Sequence, residues 1–326
     1  MIDIHAGTQL DHYRIDSFVS SGRTTSLYRA EDLDTGTPVA IKIPHVNMEV
    51  DSVFVERFHR EEEIGLTLDH PGVMKVLPNP HRTELYMVLE WLDGRILREV
   101  ISTDGKLAPK RAVRIALGIC EALDYIHSHG IVHRDLRPEH VMVLAEDHIK
   151  LMDFGLAGQV GARRVTFTNL AEIISNGNYL SPEQIAGNRG DARSDLYALG
   201  VILYELLTGK LPYGNSSSLE QFNSRALRDP VPMRSLDPTI SPELEETVRR
   251  ALERDPAHRY ATAREFAHDL AHPETVTIDK NRGRESAKPL RPAKSKTSRV
   301  SIVIYALLAA IPALIFLAIL ITSRHK

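Results

Sequence analysis

Apolar and polar positions alternate between residues 10 and 43, with turn-forming residues between the runs, which predicts β-hairpin structure. A helix is predicted from Val53 to Leu68, stopped at Asp69-His70-Pro71 because proline cannot continue it. Leu85 to Glu90 is an apolar strand, broken by Trp91-Leu92-Asp93-Gly94. From Pro109 to His129 the apolar residues Val113, Ala116, Leu117, Cys120, Leu123 and Ile126 recur at intervals of three and four, as on one face of a long amphipathic helix. That helix leads into His133-Arg134-Asp135. Val141–Leu144 and His148–Met152 then predict two short strands around the polar Ala145-Glu146-Asp147 turn. Leu196 to Leu207 is strongly apolar and ends before Gly209 and Pro212; at about twelve residues it is a buried core helix rather than a membrane span. Ser241-Pro242 and Thr262-x-x-Glu265 carry helix-start signals for two further helices.

One apolar run differs in kind. Val300 to Ile321 contains no charged residue, and at about 1.5 Å per residue it would extend roughly 33 Å, enough for the hydrocarbon core of a bilayer. Pro312 is tolerable in such a helix. Eight Lys/Arg residues lie between Glu274 and Val300, giving that stretch a net charge of +5, while residues 1–272 carry −10. An acidic folded part, a basic linker over 273–299, a transmembrane helix over 300–322 and a short tail over 323–326 follow from this. The basic flank places the folded part on the cytoplasmic side of a cell membrane. With so few residues beyond the span, no outer domain is expected, and no signal peptide opens the chain.

Composition adds exclusions. An apolar content of 43% and a charged content of 25% are those of a globular chain, not a disordered one. The single cysteine, Cys120, rules out a disulfide framework and falls on the apolar face of its helix. The fifteen histidines show no zinc-ligand spacing.

The chemistry concentrates in Ile131–Gly155, IVHRDLRPEHVMVLAEDHIKLMDFG, where Asp135 and Asp153 stand eighteen residues apart. With Val39-Ala40-Ile41-Lys42 before it and Ser181-Pro182-Glu183 after it, this stretch resembles the catalytic core of the protein-kinase superfamily, and more narrowly the bacterial, eukaryotic-like serine/threonine kinases anchored in a membrane. The resemblance covers about residues 12–272. It implies an α+β fold of two lobes, a small β-rich lobe over 1–92 and a large α-rich lobe over 93–272. It further implies ATP as cofactor, with Mg²⁺ or Mn²⁺, and transfer of the γ-phosphoryl group to serine or threonine hydroxyls of protein substrates. On this resemblance Asp135 is the base, Asp153 the metal ligand, Lys42 the phosphate clamp paired with Glu61, and Arg137 a charge stabiliser. Val19, Gly22, Leu27, Ala40, Leu89, Met142 and the backbone of Glu90 and Leu92 would surround the nucleotide. Asp195 would brace the catalytic loop, Arg259 would pair with Glu183, and Thr166 or Thr168 would be phosphorylated opposite Arg134. The membrane is a partner through the C-terminal helix, a homodimer stays open, and nucleic acid is not expected.

Four departures from the family pattern qualify this. Ser20 and Thr25 replace the outer glycines of the phosphate loop, leaving Gly22 and implying a stiffer cover with weaker or slower nucleotide binding. Arg137 stands for the usual lysine and keeps its charge. Asn176 lies where the substrate-positioning threonine belongs. His140 replaces the asparagine that helps to bind a second metal ion, which implies a preference for Mn²⁺ over Mg²⁺ and activity that falls as pH drops toward about 6. A pseudokinase or scaffold is therefore the alternative to an active enzyme. A small-molecule phosphotransferase is disfavoured by Ser181-Pro182-Glu183 and Arg259, which resemble parts of a protein-substrate platform.

Overall fold

The computed structural model describes residues 4–45, 48, 51–159, 177–214 and 228–278. Its first part is a sheet built from β1 (Gln9–Leu10), β2 (Tyr13–Ser21), β3 (Thr25–Asp32), β4 (Pro38–Pro44), β5 (Val76–Leu77) and β6 (Met87–Glu90). Among the described residues these six strands run in the order β1-β2-β3-β4-β6-β5, every neighbouring pair antiparallel. The period-two rule decides what each face does. Val39 and Ile41 of β4 join Tyr13, Ile15, Ala30, Tyr86 and Val88 in one apolar cluster, while Ala40 joins Phe58, Val76, Met87 and Leu89 in another. Lys42 follows Ala40 by two and so shares its face.

Helix α1 (Ser52–Thr67) packs on that face. Asp51 caps it, its carboxylate accepting from the amides of Val53 at 2.9 Å and Phe54 at 3.2 Å. Near the other end a Cβ on Gly65 would lie 2.1 Å from Val76 Cγ2, so the glycine lets the helix backbone approach β5 directly. Beyond α1 the chain crosses into the other lobe: Met74 N donates to Leu151 O and Leu151 N to Gly72 O, both at 2.8 Å.

The larger lobe contains β7 (Arg95–Ile96), α2 (Leu97–Asp104), α3 (Pro109–Ser128), β8 (Ile131–Val132), β9 (Val141–Val143), β10 (Ile149–Leu151) and β11 (Gly158–Gln159). There follow α4 (Pro182–Ile185), α5 (Ala192–Thr208), α6 (Met233–Leu236), α7 (Pro242–Ala251) and α8 (Ala263–Ala271). Ala116, Cys120, Leu123 and Ile126 of α3 are fully buried as their spacing predicts, and burial pushes the Cys120 thiol up. The helix does not run straight into His133, because β8 intervenes and pairs with β11. Helix α5 starts earlier than its apolar run suggests. Asp191 and Ser194 form a reciprocal cap, which adds a polar first turn and leaves Asp195 inside the helix, 1% exposed. Every residue from Ser194 to Thr208 is buried, as expected of a core helix. Thr262 caps α8 by accepting from Glu265 N, but Glu265 returns to the amide of Ala261 rather than that of Thr262.

The result is the expected two-lobed architecture, a β-rich lobe against an α-rich one. No helix among the described residues is long and apolar enough to cross a membrane. The run at 300–322, most of the basic linker, Thr166, Thr168 and Asn176 lie outside the described residues.

The expected pair of Arg259 and Glu183 is present and buried: both guanidinium nitrogens meet the carboxylate at 2.7 Å, Ser194 Oγ adds a third donor at 2.6 Å, and the Arg259 side chain is 0% exposed. Burial alone would raise the Glu183 carboxyl, but the guanidinium reverses this and holds it below the ordinary carboxylate value. Its contribution to stability is therefore present above the unfolded-chain value, near 4.3, and lost as pH falls through the folded one. Glu183→Gln should cost about 3–5 kcal/mol in urea unfolding at pH 7. The wild-type and variant curves should converge in acid.

Candidate active site

Lys42 Nζ donates to both carboxylate oxygens of Glu61 at 2.7 Å, across the gap between β4 and α1. Burial would strip the proton from Lys42, but the charges of Glu61 and then Asp153 outweigh it and hold the ammonium firmly protonated. Of the three consecutive glutamates 61–63 it is Glu61 that faces the lysine, as expected.

Opposite this pair, two turns present Asp135 and Asp153. Both depend on backbone in the left-handed region, Arg134 at φ 65° and Asp153 at φ 64°, where non-glycine residues are uncommon. The first turn is held by the Asp195 carboxylate, which accepts from His133 N at 2.9 Å and Arg134 N at 2.8 Å and meets His127 Nε2 at 2.8 Å. The second is tied to the first through His133, whose Nε2 lies 3.1 Å from Met152 O and whose ring packs on Phe154 with centroids 5.3 Å apart. Burial keeps His133 neutral by pushing its pKa down.

The two carboxylates are tuned apart. Burial pushes Asp135 up to about 6, with His140 and Arg137 opposing it. Asp153 is also buried, but Lys42, His140 and the Gly155 amide at 3.2 Å hold it well below the usual carboxylate range. One group near neutrality and one permanently ionised is a pairing suited to an acceptor-orienting base beside a cation site.

His140 sits between them. Its Nδ1 donates to the Asp135 carbonyl at 2.7 Å and its Nε2 lies 3.5 Å from Asp153 Oδ2; in the neutral ring that carbonyl fixes the proton on Nδ1 and leaves the lone pair on Nε2. An ionised carboxylate beside an imidazole lone pair, with the other ring nitrogen fixed by a carbonyl, is a donor set that fits a divalent ion. Asp153 and His140 could hold one.

Lys42, Glu61, Asp135, Arg137, His140, Asp153 and Gly22 line a single cavity of about 600 Å³. Three charged groups of its lining were not foreseen. Arg23, at the tip of the phosphate loop, and Arg57, on α1, add positive charge. Glu139 accepts from Arg137 Nε at 2.7 Å and Arg98 Nε at 3.0 Å, which hold it down to about 2 against its burial. Arg98 continues to Glu205 at 2.9 Å and to the Tyr179 hydroxyl. The basic residue at the loop tip was visible in sequence; the Arg98 links, spanning distant elements, were not.

The loop itself is a tight hairpin. Gly22 N donates to Thr25 O at 2.8 Å, and His45 Nε2 lies 3.2 Å from both Ser21 Oγ and Ser26 Oγ. At the other end of the cleft, Leu27, Ala40 and Leu89 lie in one apolar cluster with the half-buried Trp91. Met142 lies against the 91–94 segment, where a Cβ on Gly94 would come within 3.1 Å of its Cγ. Leu92 is half-buried and Val19 is 42% exposed. The Glu90 amide donates to Lys75 O at 3.0 Å, and its carboxylate accepts from Lys75 N and the Lys150 ammonium.

The family model for the protein kinase domain matches residues 13–271. The chain belongs to the protein kinase family. It is 37% identical over 265 residues to the serine/threonine-protein kinase PknB of Mycolicibacterium smegmatis, covering 80% of this chain and 42% of that protein. To a probable serine/threonine-protein kinase of Streptomyces coelicolor it is 36% identical over 263 residues, covering 79% and 39%. The chain thus spans about two fifths of the length of these curated relatives. Among solved structures, the Mycobacterium tuberculosis PknI kinase domain matches with a TM-score of 0.64 at 25% identity, covering 83% of this chain and 99% of that one. The family as a whole uses ATP and a divalent metal.

Nitrogen ligation favours Mn²⁺ over Mg²⁺. With a non-hydrolysable ATP analogue present, calorimetric titration should show tighter Mn²⁺ than Mg²⁺ binding to the wild type. His140→Asn should narrow that ratio about tenfold. An unchanged ratio would mean that the ion is held without His140.

Proposed function

We propose that this chain is an ATP-dependent serine/threonine protein kinase, held at the cell membrane by residues 300–322 with its folded part cytoplasmic. The observation that carries the catalytic part is the closed Lys42–Glu61 pair facing Asp153 and Asp135 across one cavity. Lys42 would hold α- and β-phosphate oxygens, with Arg23 and Arg137 adding positive charge to the same cavity. Gly22, Leu27, Ala40, Leu89, Met142 and the backbone of Glu90 and Leu92 would enclose the nucleotide, with Val19 over it. Asp135 would orient a serine or threonine hydroxyl of the protein substrate and take its proton. The hydroxyl oxygen then bonds to the γ-phosphorus as the bond to the bridging oxygen breaks, and ADP leaves. A divalent ion bound by Asp153 and His140 would supply charge neutralisation of the phosphates.

The alternative, a pseudokinase that binds nucleotide or a partner without turnover, is favoured by one observation: His140 spends Nδ1 on the Asp135 carbonyl, so it stands between the two carboxylates. Labelled ATP and a protein acceptor separate the two. Wild type should transfer phosphate and Asp135→Asn should lose about 10²–10⁴-fold while still binding ATP. Equal background transfer by both proteins would leave the scaffold reading standing.

Anchoring rests on the uncharged run and its basic flank. Deleting residues 300–326 should move a folded domain from the membrane to the soluble fraction. Aggregation of the truncated protein would instead make the run part of a core.

A further inference from the structure

Helix α1 carries the cavity glutamate on a poorly anchored element. Of its sixteen residues only Phe58, Glu61 and Gly65 are buried, while Val53 and Leu66 are largely exposed. Phe54 and Ile64 pack part-buried beside them, so the apolar seam is short and polar contacts help to set the rotation of the helix about its own axis. The neighbouring residue, Glu62, projects about 100° round the helix from Glu61. Its carboxylate is gripped in a two-pronged pair by Arg82, Nη2 to Oε2 at 2.8 Å and Nη1 to Oε1, with the side chains 19% and 14% exposed.

Arg82 is itself fixed. Its Nη1 also donates to Tyr86 O at 2.8 Å. Tyr86 is 0% exposed and donates its hydroxyl to Asp11 at 2.5 Å while accepting from Asn79 at 2.7 Å. Thr83, next to Arg82, donates its hydroxyl to the same Asp11 at 2.8 Å. The grip on Glu62 is thus rooted in the buried centre of the small-lobe sheet, and a planar guanidinium fork transmits orientation as well as attraction.

We propose that Arg82 is a positioning residue for phosphoryl transfer: by clamping Glu62 to the sheet it sets the rotation of α1 and so holds Glu61 against Lys42. Two adjacent carboxylates, drawn by cations on different sides, pin the helix where either alone would leave it free to turn. This rests on the kinase reading for its catalytic consequence, though not for its structural one.

The test uses the full chain with Arg82→Ala, Arg82→Lys, Glu62→Gln and the double variant Arg82→Ala/Glu62→Gln. A positioning role predicts that kcat falls about tenfold in Arg82→Ala with KM for ATP within about twofold, since Lys42 acts on the phosphates and not on the adenine end. Arg82→Lys should recover part of the loss, and the double variant should be no worse than the worse single one. Independently of turnover, the rate at which an amine-reactive acylating reagent labels Lys42, read by peptide mass spectrometry, should rise several-fold in Arg82→Ala. If wild type shows no turnover, the kinase reading fails, and Lys42 labelling alone still decides the clamp. Unchanged kcat in an active enzyme, or unchanged Lys42 labelling, overturns the proposal. So does a parallel loss of kcat, ATP affinity and melting temperature, which would mark Arg82 as merely structural.

Discussion

A buried carboxylate under the turn that carries Asp135 is the constraint on which the site depends. Asp195 is 1% exposed and accepts from two consecutive backbone amides and a histidine ring. Burial alone would neutralise it, and those donors keep it charged. The anion in turn gives the amides of His133 and Arg134 a partner that an ordinary turn would not, which makes the left-handed backbone at Arg134 tolerable. Asp135 is aimed by that backbone, and His133 passes the constraint on to Met152 and Phe154. The position of both cavity carboxylates is thus inherited from one side chain on α5, the most deeply buried helix of the described chain.

The same logic explains which features were legible in the sequence. Strand β4 could be read directly, because alternation assigns Val39 and Ile41 to one face and Ala40 and Lys42 to the other without reference to any distant residue. Glu61 and Arg259 were legible through the family's spacing, and the geometry bears both pairs out. Asp195 was named correctly although its helix was begun too late. The apolar run signals where α5 is buried, whereas its start is set by the polar Asp191–Ser194 cap.

What stayed hidden shares one property: it joins residues far apart in sequence through polar side chains with no periodic signature. Arg82 to Glu62, Arg98 to Glu205 and Thr83 to Asp11 are of this kind. Before folding, each resembles a solvated surface charge. The departures from the family pattern were visible as substitutions but not as structures. His140 forms a bridge between two turns through the Asp135 carbonyl, and the loop that has lost two glycines is joined across its hairpin by Ser21, Ser26 and His45.

Trp91 lies in the segment that joins the lobes, its indole N–H donating to Asp93 at 2.8 Å and the Arg29 guanidinium of β3 lying 5.0 Å from its ring centre. It is also the chain's one tryptophan. A cation from the small lobe therefore lies over the sole indole, in the segment that joins the lobes. Intrinsic fluorescence from this protein is a local signal, and the molecule carries its own optical gauge of hinge geometry without any added label.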